Sequence, residues 1–338
     1  MFNRSAPADT PALHVFAENL PLREPFRIAR MAFHHSQVVV AEIAAGGHVG
    51  RGECEPHESD PAERDRAMAQ LWALSGRIAE GMDRAALATL LDAGPIRNAL
   101  DCALWDLEAK RRGRPVHALA GRPASAALPT VFTLGIDAPG AMAEKARRMA
   151  AWSRLKIKLG GDDSARDLER VAAVRRARPE AELIVDANGG WTMAVLRHMA
   201  PALAGLGVAL IEQPLAPGRD AALADYASPV PLCADESCLD RGSLPAVIGR
   251  YAYINIKLDK TGGLTEALAL ADAAEAAGLG VMVGCMTGTS LAMAPAHLVA
   301  QRARFVDLDG PLLVGWDRSP PMRYADGLVY PPEPALWG

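Results

Sequence analysis

From residue 131 onward, short apolar runs recur with starts 22–28 residues apart. They are VFTLGI (131–136), LKIKLG (155–160), LIVDAN (183–188), ALIEQP (209–214), PLCADE (231–236), YINIKL (253–258), VMVGC (281–285) and FVDLDG (305–310). Such an interval holds one strand, one helix and two short loops. The intervening segments read as amphipathic helices, for example ARDLERVAAVRRA after the second run and TEALALADAAEAAG after the sixth, which Gly278 closes. Eight strand–helix units predict an α/β fold of the (β/α)8, TIM-barrel type. An open doubly wound sheet shows the same alternation. The count of eight favours the barrel, as does the lack of a GxGxxG after the first run.

The first 125 residues have a different pattern. Residues 13–18 and 37–45 read as strands, with Gly46-Gly47 as a turn, and 60–81 and 84–121 read as helical. This is an α+β block covering 1–125, followed by a barrel over 126–317. The Pro-rich tail, 318–338, is expected to return to the first block.

A net charge of −4 from 36 basic and 40 acidic residues argues against a nucleic-acid-binding chain. Five scattered cysteines form no disulfide or zinc pattern, so free thiols and a cytoplasmic setting are expected. The N-terminus lacks the apolar core of a secretory signal. Residues 276–301 carry no Asp, Glu, Lys or Arg, the length of a membrane span. Gly284, Thr287, Gly288, Thr289 and Ser290 interrupt it, so a strand, a small polar turn and a helix are expected, and no membrane partner.

In a barrel of this kind catalytic groups stand at the C-terminal ends of the strands. The runs end with Lys156 and Lys158, Asp186 and Asn188, Glu212, Asp235 and Glu236, Lys257 and Asp259, and Asp307 and Asp309. Charge inside apolar strands is costly unless paired or bound to an ion. Asp186, Glu212 and Asp235 fall on neighbouring strands three, four and five. A divalent cation resolves their mutual repulsion, and an all-oxygen site suits Mg²⁺. Three separate salt bridges are the plainer alternative.

Lys156 and Lys158 share one strand face. Lys257 lies on strand six, diametrically opposite strand two. A buried lysine near other cations has a lowered pKa and can act as a general base, and Lys156 and the metal would supply that field to Lys158. Opposed bases flanking one carbon permit proton removal on one face and return on the other, which is racemisation or epimerisation. The metal would stabilise the enediolate of a carboxylate substrate. Structural pairing of these lysines with acids is the alternative.

KIK (156–158), VDAN (185–188), EQP (212–214), ADES (234–237) and NIKLDKTGG (255–263), with NALDCALWDL (98–107), resemble the enolase superfamily, in its muconate-lactonising-enzyme-like subgroup. The resemblance implies a capping α+β domain on a Mg²⁺-dependent barrel. It implies Lys158 and Lys257 as the two bases, with Lys156, Asn188 and Glu236 in support. VDLDGPLL resembles the DxD of dipeptide epimerases, in which Asp307 and Asp309 would hold a substrate ammonium; a structural DxD bound to a basic side chain is the alternative. FRIAR (26–30) resembles the cap loop of that family, which would place Arg30 against a glutamate side chain; Thr133 matches a residue near the substrate there, and GCMTGTS (284–290) resembles the loop after strand seven.

The implied activity is inversion of the C-terminal residue of L-Ala-X dipeptides, X = Glu favoured, in bacterial murein recycling. The cap loop CEPHESD (54–60) departs from close relatives, and its Glu55, Glu58 and Asp60 either select against an anionic side chain or form a solvated surface. Racemisation of N-succinylamino acids or cycloisomerisation on the same scaffold is the alternative chemistry. A silent metal-bound barrel that only binds ligand is the alternative class. The expected partner is a small-molecule dipeptide; a homo-oligomer is compatible with all of this.

Overall fold

The structure, a computed structural model, describes residues 10–29, 31–56, 60–160 and 163–338. It opens with an antiparallel sheet of β1 (Ala12–Arg27), β2 (Ala32–Ala45) and β3 (His48–Cys54) in that order. Gly46 and Gly47, both at positive φ, make the two-residue β2–β3 turn. β1 and β2 run further than their apolar patterns indicate. Their register shifts between Pro21 and Phe26 and resumes with Phe26 opposite Phe33, so the ladder steps past the two prolines rather than ending at them.

Five helices follow: α1 (Pro61–Ala73), α2 (Ser75–Ala79), α3 (Arg84–Leu90), α4 (Pro95–Arg112) and α5 (Val116–Leu119). The second helical stretch is thus divided. Pro95 starts a new helix behind Gly94, and left-handed Gly113 stops it before Pro115. Asp60 caps α1, accepting from Ala62 N–H at 2.9 Å. This member of the acidic cap loop is therefore a helix cap.

Helix α4 lies directly on β3. A Cβ on Gly50 would stand 2.2 Å from Ala103 O, and one on Gly52 2.0 Å from Ala99 O. Gly52→Ala is expected to cost about 3 kcal/mol through overpacking, read from the urea unfolding midpoint. An unchanged midpoint would show that the helix yields freely.

β4 (Leu128–Pro129) precedes the barrel. The barrel strands are β5 (Phe132–Leu134), β6 (Arg154–Lys158), β7 (Glu182–Asp186), β8 (Val208–Glu212), β9 (Leu232–Ala234), β10 (Tyr253–Ile256), β11 (Gly280–Val283) and β12 (Phe305–Val306), in sequential order and parallel. Val131 N–H donates to Val306 O at 2.9 Å and joins the first strand to the last. Helices α6 (Pro139–Arg148), α7 (Ser164–Ala177), α8 (Met193–Gly205), α9 (Leu258–Thr261), α10 (Leu264–Ala276), α11 (Ser290–Ala300) and α12 (Gly310–Leu313) surround it. After β8 and β9 the connections hold only 3₁₀ turns, Asp220–Asp225 and Leu244–Ala246. Those segments are short and broken by Pro217, Gly218 and Pro229, and by Gly242, Pro245 and Gly249.

The barrel interior has two levels. Val131, Ile184, Leu210, Cys233, Met282 and Phe305 form a buried apolar cluster. Two residues on, the same strand faces carry Thr133, Asp186, Glu212, Asp235 and Asp307. The apolar plug thus holds the charged layer at the mouth.

β13 (Tyr324–Ala325) pairs with β14 (Leu328–Val329), which pairs in turn with β4. Further along, Trp337 Nε1 donates to Cys102 O at 3.1 Å and Gly338 N–H to Asp106 Oδ1 at 2.7 Å, both on α4. Arg318 pairs with Glu53 of β3 at 2.7 Å. Among the described residues no helix is long and apolar enough to cross a membrane. The uncharged stretch around 276–301 divides into β11, a turn and α11. All five cysteines are free thiols.

Candidate active site

A cavity of about 400 Å³ opens at the C-terminal ends of the strands. Its floor includes Lys156, Lys158, Asn188, Asp235, Glu236, Lys257, Asp307 and Asp309. Phe26, Ile28 and Phe33 from the β1–β2 hairpin, with Glu55 and Pro56, wall it from the side of the first block. Ladder register aligns the floor: Lys158 opposite Asp186, Asp186 opposite Glu212, and Glu212 opposite Cys233, two residues before Asp235.

Lys158 Nζ lies 2.6 Å from Asp186 Oδ2, and Lys257 Nζ 2.6 Å from Asp235 Oδ2. Glu212 stands between these pairs on β8, its Oε1 accepting from Asn255 Nδ2 at 2.8 Å. Lys156 sits beneath, 3.1 Å from Asp186, 2.7 Å from Glu212 and 2.8 Å from Asp307. The carboxylates of Asp186, Glu212 and Asp235 are fully buried.

Burial alone would raise the Asp186 carboxyl, but Lys158 and Lys156 outweigh it and hold it well below the usual range. Lys257 and Lys260 do the same for Asp235. Glu212 is pushed up to about 8 by burial and the Asp186 charge. Burial and the charges of Asp235 and Asp186 also raise Glu236. For Lys257, Asp235 overcomes the burial penalty and raises the ammonium above its ordinary value. Lys156 is raised likewise by Asp307, Glu212 and Asp186. Carboxylates, not cations, face these amines most closely.

Asn188 is left-handed at φ 44°. Its backbone N–H donates to Asp186 Oδ1 at 2.9 Å, and its Oδ1 accepts from Lys158 at 3.2 Å. Its Nδ2 reaches Glu236 Oε1 at 3.4 Å. On the far wall, Asp309 Oδ2 accepts from Thr133 N–H at 2.6 Å, and Thr133 Oγ1 reaches Asp307 Oδ1 at 3.4 Å. Burial and the Asp307 charge push Asp309 up to about 7. Asp307 lines the cavity yet is ion-paired to Lys156, the basic partner that a structural DxD would have. Arg30, Glu58 and His57 lie outside the described residues. Glu55 is buried and lines the cavity, so the two described acids of that loop have separate fates.

Three buried groups were not singled out in the sequence. Gln213, left-handed at φ 35°, accepts from Asp235 N–H at 2.7 Å and Ser237 N–H at 3.1 Å. Lys260 donates to Asp235 O at 2.5 Å and Asn255 O at 2.8 Å and pairs with Asp235 Oδ1 at 2.7 Å. Asn255 holds Glu212. Their signal was polarity within the EQP and NIKLDKTGG segments, at positions flanking the acids.

The donor set fits a hard divalent cation. Asp186, Glu212 and Asp235 offer only oxygen. Glu212 Oε2, Asp235 Oδ1, Glu236 Oε2 and Asn255 Oδ1 are buried and take no hydrogen bond. Lysine nitrogens stand 2.7 Å from the first two, close enough for charge pairing but outside hydrogen-bond geometry. Among the described residues no three candidate ligands already surround one point; lysine ammoniums lie among the acids instead.

Residues 141–334 match the family described as enolase C-terminal domain-like, and 11–121 match the mandelate racemase / muconate lactonizing enzyme N-terminal domain. The chain belongs to the enolase superfamily. The L-Ala-D/L-Glu epimerase of Escherichia coli (strain K12) is 44% identical to this superfamily member over 94% of the chain and 98% of that protein. An N-acetyl-D-glutamate racemase of Pseudoalteromonas sp. is also 44% identical, over 89% of the chain and 95% of its own length.

Among solved structures, an enolase family member from Agrobacterium tumefaciens with homology to dipeptide epimerases, holding sodium and L-Ala-L-Glu, superposes with a TM-score of 0.92. It is 44% identical and covers 97% of this chain and 100% of that one. A dipeptide epimerase from Methylococcus capsulatus, complexed with Mg and L-Arg-D-Lys, gives 0.87 at 30% identity, covering 97% and 99%. The superfamily member described here is an isomerase of the epimerase and racemase kind, with an α/β barrel beneath an enolase-type N-terminal unit.

Proposed function

We propose that the chain is a Mg²⁺-dependent dipeptide epimerase that inverts the C-terminal residue of L-Ala-X, with X = Glu favoured, in the cytoplasm and in murein peptide recycling. The observation that carries this reading is the placement of Lys158 and Lys257 at the C-terminal ends of strands two and six, each 2.6 Å from a buried carboxylate, with Glu212 between them. The organisation is proposed as a cap of 1–125 with 318–338 and a barrel of 126–317.

Asp186, Glu212 and Asp235 would hold the cation, which supplies positive charge facing the substrate carboxylate. Lys158 and Lys257 would then stand on opposite sides of the substrate's α-carbon. One lysine, as the neutral amine, takes the α-proton from its face. The other, as the ammonium, returns a proton to the opposite face of the enediolate. Lys156, Asn188 and Glu236 hold the acids and Lys158 in place. Asp307 and Asp309, just past strand eight and opposite Glu212, receive the peptide's ammonium, with Thr133 fixing Asp309. The Glu preference is supported by the two L-Ala-L-Glu-related comparisons. Arg30, assigned to the glutamate side chain, is part of the proposal by resemblance alone.

A second reading has support in the Lys156–Asp307 ion pair. A lysine already meets part of the charge demand of the strand-eight acids, which suits an N-acylated amino acid with no ammonium. N-acetylglutamate racemisation is that reading. In D₂O with Mg²⁺, loss of the α-proton NMR signal of L-Ala-L-Glu at a rate well above that of N-acetylglutamate is expected. Asp307→Asn should weaken the dipeptide reaction about tenfold or more through loss of a charge-assisted contact. Faster turnover of N-acetylglutamate, with Asp307→Asn unaffected, would replace the dipeptide reading by the second.

A further inference from the structure

The face of α4 that meets the barrel is polar, and it meets one short segment. Positions 97, 98, 101 and 105 lie one and two helical turns apart on that face. Arg97 Nη2 donates to Thr261 O at 2.6 Å and its Nε to Gly262 O at 3.2 Å. Asn98 Nδ2 donates to Asp259 Oδ1 at 2.9 Å and is also 3.3 Å from Glu53 O. Asp101 accepts from Thr265 N–H at 2.9 Å and from its hydroxyl at 2.6 Å. Trp105 Nε1 donates to the same hydroxyl at 2.9 Å.

Everything in that segment hangs from Lys257. This lysine is the N-cap residue of α9, a single turn that left-handed Gly262 closes at φ 76°, with Gly263 following at φ 113°. A Cβ on Gly262 would lie 2.2 Å from Arg97 Nε, and one on Gly263 2.5 Å from the Asp101 side chain. The two glycines thus permit both the turn and the close approach of the helix. The guanidinium of Arg97 satisfies carbonyls at the C-terminal end of α9, which the turn leaves without partners. The end of α9 cannot shift without breaking the Arg97 bonds to Thr261 O and Gly262 O. Lys158 is held in another way. It ends β6 inside the ladder, in register with Asp186, and bonds Asp186 and Asn188, both barrel residues.

We infer that Arg97, Asn98 and Asp101 of α4 position Lys257, so that the N-terminal unit governs proton transfer on one face of the substrate's α-carbon separately from the other. These are positioning residues; they act through the 257–265 segment. The inference rests on the epimerase reading in which Lys257 is one of the two bases.

The test measures α-proton exchange in D₂O by NMR, starting separately from L-Ala-L-Glu and L-Ala-D-Glu. Lys257→Ala first identifies the epimer that Lys257 serves. Asp101→Asn, which keeps the size and one acceptor, and Arg97→Lys, which keeps the charge but loses the fork, are then compared with the wild type. Thermal melts confirm that each is folded. Exchange from the Lys257-served epimer is expected to fall about tenfold, as sub-ångström misplacement of a base can cause. Exchange from the other epimer should change less than about twofold. Equal falls for both epimers, or no fall in either variant, overturn the inference. Absence of exchange in the wild type overturns the epimerase reading itself, and this inference with it. A purely structural role would lower both rates together and leave their ratio fixed.

Discussion

Alanine at Lys257 should leave the enzyme able to exchange the α-proton of one dipeptide epimer and not of the other. Inversion needs both bases, so the net epimerisation rate is expected to fall about 10³-fold or more, within the usual contribution of a positioned acid or base. Exchange at the remaining face needs only the remaining amine and the electrostatic stabilisation of the enediolate. Lys158→Ala should give the mirror image. The asymmetry follows from the ring: strands two and six stand four apart, so neither amine can replace the other. Equal residual exchange of both epimers in either variant would contradict a two-base scheme. Equally fast inversion would remove both lysines from the chemistry.

Asp235→Asn has the second-largest expected effect, and it acts on two quantities at once. The carboxylate neutralises Lys257 at 2.6 Å and Lys260 at 2.7 Å, in full burial. Asparagine leaves two buried ammoniums short of one anion, a loss of about 3–5 kcal/mol of stability at neutral pH by urea unfolding. The sign of its pH dependence is fixed. Burial opposes ionisation, the lysines outweigh it, and the carboxyl is held below its ordinary range. Its contribution is therefore complete above the ordinary aspartate pKa and is lost only as acid protonates the folded protein. The gap between the two proteins should be widest near neutrality and close in strong acid. Calorimetric titration of the variant with Mg²⁺ should show much weaker binding. Unchanged Mg²⁺ affinity would take Asp235 out of the cation site.

The eight-stranded order and the placement of acids and lysines at strand ends were legible because both follow from local pattern. An apolar run needs a strand, and a two-residue period sets which of its residues face inward. What the pattern does not encode is how long side chains meet across the barrel. Lys156 on β6 reaches Asp307 beyond β12, a contact no spacing predicts. Glu55 and Asp60 read alike in sequence, yet one is buried in the cavity wall and the other caps α1. The hairpin over the mouth extends beyond the strands expected at 13–18 and 37–45, because the ladder shifts register past Pro21 and Pro25 and resumes at Phe26. The polar face of α4 resembles a solvated helix face; Asn98, Asp101 and Asp106 are instead buried.

The bare backbone of β3 bears on recombination between relatives. Gly50 and Gly52 let α4 rest on the strand, and the opposite face of the same helix grips 259–265. A chimera that exchanged the N-terminal block alone would carry one half of this fit and lose the other. The transferable module is therefore a seam: β3, α4 and the Lys257–Thr265 turn moved together. Substrate range grafted in that form would travel with its own base alignment, whereas a cut between the N-terminal match ending at 121 and the C-terminal match starting at 141 would separate them.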